Sequence, residues 1–182
     1  MNFVNELDDE ILEDEDIDMG SLYHGMTQAN ITGLLIKEER FVVITELSLD
    51  ASKIDLTQFG LKTKDEFKPD ICVYKVPSEM KQINPKRADR DIIKVSTMPD
   101  LAIEILSPNQ SVNMLLRKFD ALFALGVKSC WLVMPVLEEI RIFSQPHAYK
   151  IFDLQRDTEV IDEVMGIRQS IQEIFKRRFF AV

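Results

Sequence analysis

Histidine and cysteine are scarce in this chain of 182 residues: two of each, His24 and His147, Cys72 and Cys130. Two histidines exclude a histidine-rich zinc centre on count alone. Two cysteines leave room for one disulfide at most; both fall in apolar stretches, so buried free thiols in a reducing cytoplasm are expected. No apolar run is long enough to span a membrane, and the acidic first residues are unlike a signal or transit peptide. There is no Gly-rich phosphate loop with a following lysine, no Gly-x-Ser-x-Gly and no Cys-x-x-Cys, which removes nucleotide-loop, nucleophile-elbow and thiol-redox chemistry. Ser107 and Ser111 have no histidine that the pattern places near them. Internal repeats are absent.

The charge is unevenly spread. The net charge is −9, and residues 1–20 hold nine acids with no lysine or arginine, which leaves zero on residues 21–182. Residues 1–20 therefore read as an acidic, mobile N-terminal extension, either a solubilising tail or an electrostatic competitor over a weakly basic cleft. Residues 21–182 read as a single domain: 46% of the chain is apolar and 29% charged, a balance that can support a core. Because this body is neutral, tight non-specific binding to nucleic acid is not expected from charge.

One stretch carries a residue that its surroundings should reject. Pro99 to Pro108 reads as a buried central strand with Leu101, Ile103 and Ile105 on one face and Asp100, Ala102 and Glu104 on the other. A carboxylate there costs free energy unless it is paired, protonated or bound to a metal. The following helix, expected over 110–125, has an apolar face of Val112, Leu115, Leu116, Phe119, Leu122 and Phe123, with Asn109 or Ser111 to cap it and Gly126 to end it. Four extended residues from Glu104 to Pro108 cover about 13 Å. Nine helical residues from Asn109 to Lys118 return about 13 Å. A helix folding back over its strand therefore brings Lys118 level with Glu104.

Upstream, residues 21–39 read as a helix capped by Ser21, with Leu22, Met26, Ala29 and Gly33–Leu34 as its apolar stripe. His24 on that helix is either packed or solvated on residue statistics. Residues 41–49 read as one strong strand at the edge of the sheet, Glu46 being a solvated edge residue or part of an acidic cluster. Residues 50–68 read as a loop with a short turn of structure. The strand from Asp70 to Val76 sets Asp70, Cys72 and Tyr74 on one face. Residues 78–98, with Lys81, Lys86, Arg87, Arg90 and Lys94, read as an exposed connection, either a solvated face or a phosphate contact. Strands are expected at 129–134, 139–144, 149–154 and 158–165, then a terminal helix over 167–175. The apolar end Phe179–Val182 and the hairpin at 139–154 suit a homodimer interface.

Pro99-Asp100-Leu101-Ala102-Ile103-Glu104-Ile105-Leu106-Ser107-Pro108, the helix with Lys118, and Gly126-Val127 leading to Cys130-Trp131-Leu132-Val133 together resemble the Uma-two family. That family belongs to the restriction-endonuclease-like proteins of the PD-(D/E)XK nuclease superfamily. Lys68-Pro69-Asp70-Ile71-Cys72-Val73-Tyr74 is similar to its Pro-Asp strand, and Ser21-Leu22-Tyr23-His24 to its Ser-x-x-His helix opening. The resemblance implies an α/β fold, a restriction-endonuclease-like mixed β-sheet flanked by helices. It also implies Mg²⁺- or Mn²⁺-dependent hydrolysis of DNA phosphodiester bonds. Asp70 and Glu104 would be metal ligands with the Ile105 carbonyl, and Lys118 a catalytic lysine displaced from the usual position two residues after the glutamate, which is Leu106 here. Met114 and Met134 stand where relatives tend to carry acids. The alternative is a catalytically degenerate scaffold that binds nucleic acid or protein.

Overall fold

The computed structural model describes residues 20–62, 65–77 and 91–178. The acidic leader up to residue 19, most of the basic connection (78–90) and the apolar end Phe179–Val182 lie outside the described residues. In chain order the elements are α1 (Leu22–Leu35), β1 (Phe41–Thr45), β2 (Ser48–Asp50), a 3-10 turn (Leu56–Phe59), β3 (Glu66–Phe67), β4 (Ile71–Lys75), β5 (Lys94–Val95), β6 (Leu101–Ile105) and α2 (Val112–Ala124). Then follow β7 (Ser129–Met134), β8 (Glu139–Gln145), β9 (Ala148–Asp153), β10 (Glu159–Asp162), β11 (Ile167–Ser170) and α3 (Ile171–Ile174).

Six strands form the main sheet in the order β1-β4-β6-β7-β8-β9. Only β6 and β7 run parallel, joined by the α2 crossover; the other neighbours are antiparallel. The sheet is therefore mixed, as the sequence implied, and β1 is an edge. A three-stranded sheet (β3-β2-β5) and the β10–β11 hairpin complete the fold.

The strand alternation sorts the core into two layers. Ile71, Val73, Leu101, Ile103, Ile105, Trp131 and Val133 pack with Ile31 and Leu35 of α1, with the β10–β11 hairpin and with α3. Cys72, Ala102, Cys130 and Leu132 pack with Leu115, Phe119 and Leu122 of α2 and with Leu49 and Phe67 of the small sheet. Cys72, Ala102 and Cys130 form one cross-sheet row. The cysteines thus stand two strands apart, roughly 9–10 Å, too far for a disulfide. Both are buried free thiols.

Four expectations need correction. The segment 41–49 is two strands in different sheets, because Glu46 takes a left-handed conformation (φ 53°) and turns the chain between β1 and β2. The helix expected to Glu39 ends at Leu35, with Ile36 as C-cap. Its buried residues are His24, Thr27, Ile31 and Leu35, and Leu22 and Ala29 are exposed. The branched pair Ile31 and Leu35 fills the core, and the same helical face carries His24 and Thr27 inward with it. Finally, residues 167–170 pair with β10 as a strand, so the terminal helix is only Ile171–Ile174. Gly166, at φ 67° in the hairpin turn, offers its carbonyl to Arg40 (2.7 Å), which also donates to the Met165 carbonyl.

Asp162 joins this hairpin to the main sheet. It is fully buried, and its carboxylate accepts from the Ser129 hydroxyl (2.6 Å), the Trp131 indole (2.7 Å) and the Met165 amide (2.9 Å). Asp162→Ala leaves three buried donors without that acceptor and is expected to cost about 3–5 kcal/mol in urea unfolding. A loss below about 1 kcal/mol would mean that the carboxylate does not hold the hairpin. A thiol reagent should modify neither Cys72 nor Cys130 in the native state at neutral pH, and both after unfolding. Rapid native labelling would contradict their burial.

Candidate active site

The site lies where β4 begins and β6 ends. Ile71 pairs with Ile103, so the next antiparallel step sets Asp70 opposite Glu104. This is a position without backbone cross-bonds, where facing Cα atoms are about 4.5 Å apart. Both side chains are buried, Asp70 to 7% and Glu104 to 3% of full exposure. The Ile105 amide donates to Asp70 Oδ2 at 2.6 Å, whereas the Leu106 amide donates the other way, to the Val133 carbonyl. Successive backbone groups alternate in direction along a strand, so the edge of Ile105 faces Asp70.

The helix after β6 returns as its length predicts. Lys118 Nζ stands 2.7 Å from Glu104 Oε1, with its side chain 16% exposed. The ammonium also lies 3.5 Å from the Lys68 carbonyl and 5.9 Å from the Phe67 ring centre. The buried thiol of Cys72 reports the potential here. Burial, then the charge of Glu104, push it up to about 12, and Lys118 pulls in the opposite direction. Cys130 is raised as well, chiefly by burial and then by Glu104.

Helix α1 closes the other side. His24, 4% exposed, sets Nε2 3.1 Å from Asp70 Oδ1. One turn on, Gln28 donates to the Asp70 carbonyl (3.0 Å) and reaches Glu46 Oε1 (3.5 Å). The Glu46 amide also donates to the Asp70 carbonyl. Glu46 itself is exposed and ion-paired to Lys68 at 3.1 Å. That pairing, more than any other contact, holds its carboxyl below the usual glutamate range. The sequence does not single out Gln28 at this site, and Lys68 stands in it only as the residue before the Pro-Asp motif. The spacing of four between His24 and Gln28 is the available signal for the latter, masked by the competing apolar stripe of Leu22, Met26, Ala29 and Leu34.

The donors available to a cation are two buried carboxylates and a backbone carbonyl edge. Among the described residues no three His, Cys, Asp or Glu side chains gather as a metal-holding group. A soft or borderline metal that needs several side-chain ligands does not suit this arrangement. A hard divalent ion does, since Mg²⁺ commonly takes one or two carboxylates and completes its shell with water.

The Uma2 family model, described as "Putative restriction endonuclease", matches residues 19–173. The chain belongs to the Uma2 family. Its fold is similar to the crystal structure of a "putative nuclease belonging to DUF820" from Anabaena variabilis ATCC 29413. The TM-score is 0.61 at 19% sequence identity, over 85% of this chain and 81% of that one. A comparison with curated proteins finds no match. In this Uma2-family chain the strand-paired acids and the helix lysine come from three separate segments, and the fold brings them together. No helix among the described residues is long and apolar enough to cross a membrane.

Burying an ion pair yields little net stability, whereas removing one partner strands a charge. Lys118→Met should therefore destabilise the protein by about 3–5 kcal/mol at neutral pH. The double variant Lys118→Met/Glu104→Leu should recover most of that loss in denaturant titrations. A single variant as stable as wild type would mean that Glu104 does not depend on Lys118.

Proposed function

We propose that this protein is a divalent-metal-dependent nuclease that hydrolyses DNA phosphodiester bonds. The Uma2 family supports the coarse class of reaction and nucleic acid as substrate. The observation that carries the finer proposal is the Glu104–Lys118 contact at 2.7 Å beside Asp70, on adjoining strands of one sheet. A protein that needed only a core would be better served by apolar side chains at these positions.

In this proposal Asp70, Glu104 and the Ile105 carbonyl hold Mg²⁺ or Mn²⁺. When bound, such an ion would acidify a water molecule and offset charge on the scissile phosphate. The chain's own residues do the remaining work. The Ile105 amide holds one oxygen of Asp70. Lys118 neutralises Glu104 and brings a positive charge to the place where a phosphate would gain negative charge. Lys68, on the rim, supplies a second cation for backbone contact. The buried, well-separated thiols suit a reducing cytoplasm, the compartment we assign.

A mixed panel of single- and double-stranded DNA incubated with Mg²⁺ or Mn²⁺ tests the proposal. Wild type should cleave and a chelator should stop it. Asp70→Ala and Glu104→Ala should each lose roughly 100-fold or more in rate, and Lys118→Met a comparable amount. Calorimetry with either metal alone should show binding that Glu104→Ala abolishes. No heat at millimolar metal, together with an uncut panel, would favour the non-catalytic scaffold instead.

A further inference from the structure

Asp70 is hydrogen-bonded at one side-chain oxygen and at its carbonyl, and its other side-chain oxygen meets an imidazole edge. The Ile105 amide takes Oδ2 at 2.6 Å, and Gln28 and the Glu46 amide take the carbonyl. Oδ1 faces the Nε2 edge of His24 at 3.1 Å. His24 and Gln28, four apart on α1, thus present one helix face to one aspartate. From this we infer that His24 is a positioning residue for Asp70: it fixes the carboxylate's rotation so that its remaining lone pairs serve a divalent cation. The inference rests on the metal site proposed above and adds a residue outside its ligand set.

Two observations separate this role from the nearest alternatives. If His24 were only filling core, an apolar residue would serve in line with Ile31 and Leu35, where the imidazole is buried to 4%. If it were a ligand itself, it would gather with both carboxylates. No group of three His, Cys, Asp or Glu side chains does so among the described residues. An ionised carboxylate offers about four lone-pair sites, so the amide and the imidazole leave room for a cation. Partners that orient a ligand in this way typically change metal affinity by about 10–100-fold when removed.

The test is calorimetric titration of the full chain with Mn²⁺ alone. The proteins compared are wild type, Glu104→Ala, His24→Ala, His24→Gln and Thr27→Ala. Thr27 is buried on the same helix face and serves as the packing control. His24→Ala should weaken Mn²⁺ binding about 10–100-fold. His24→Gln, whose amide can offer N–H at the place of Nε2, should bind about as tightly as wild type, as should Thr27→Ala. Equal affinity for wild type and His24→Ala would overturn the inference while leaving the metal site standing. A folded His24→Gln as weak as the alanine variant would put the imidazole on the metal and overturn it too, as would an equal loss in Thr27→Ala. Should His24→Ala fail to fold, the glutamine variant carries the test alone, and weak binding by it overturns the role. If wild type and Glu104→Ala both give no binding, the proposed metal site itself fails and takes the inference with it.

Discussion

The antiparallel register between β4 and β6 is the constraint on which the rest depends. Pairing Ile71 with Ile103 sets Asp70 against Glu104 and sends the apolar residues of both strands to the α1 side. Because strand side chains alternate, a slip of one residue would turn one strand's set to the wrong face. Apolar burial on that side therefore enforces the arrangement of the acids. With about 0.8 kcal/mol for each buried methylene, a layer containing Ile71, Val73, Leu101, Ile103 and Ile105 leaves little freedom to slip. The carboxylates take positions that the core has already set.

Two buried carboxylates in this fold have different chemical surroundings. Asp162 accepts from a hydroxyl, an indole and an amide, and these contacts join the β10–β11 hairpin to the sheet. Glu104 meets the ammonium of Lys118, whose side chain is partly exposed, and stands next to a second acid. A carboxylate with three short-range donors is a structural tie. One that faces a second acid and a lysine near the protein surface is costly to keep in a core. That contrast separates architecture from candidate chemistry without appeal to sequence similarity.

The two helices divide the work of holding the acids. Helix α2 is tied by chain length to β6, so Lys118 reaches Glu104 through local geometry. Helix α1 is remote in sequence from β4 and reaches Asp70 only because Ile31 and Leu35 dock on the sheet. The left-handed Glu46 completes this side, ending β1 and turning its amide to the Asp70 carbonyl. Non-glycine residues seldom adopt that conformation, and here it sits beside the candidate site.

The sequence by itself determined what depends on local periodicity and chain length. The central strand with its acid, the helix returning to it, the strand at 129–134 stopped by Pro135 and the hairpin beyond were all legible, since alternation and helical spacing act over neighbouring residues. So was the meeting of Glu104 and Lys118, because extended rise and helical rise over their separations match. The buried face of α1 was not legible. Leu22, Met26, Ala29 and Leu34 compete with Ile31 and Leu35, and only docking on the sheet selects the stripe that buries His24. Nor was the division of residues 41–49, whose apolar run gives no sign that Glu46 will turn the chain into another sheet. The segment 167–170, Ile-Arg-Gln-Ser, has weak strand character and becomes a strand through pairing with β10. Tertiary packing alone decided which polar groups surround Asp70, because His24 and Gln28 on α1, Glu46 after β1 and Ile105 on β6 come from three segments whose approach is set by long-range burial.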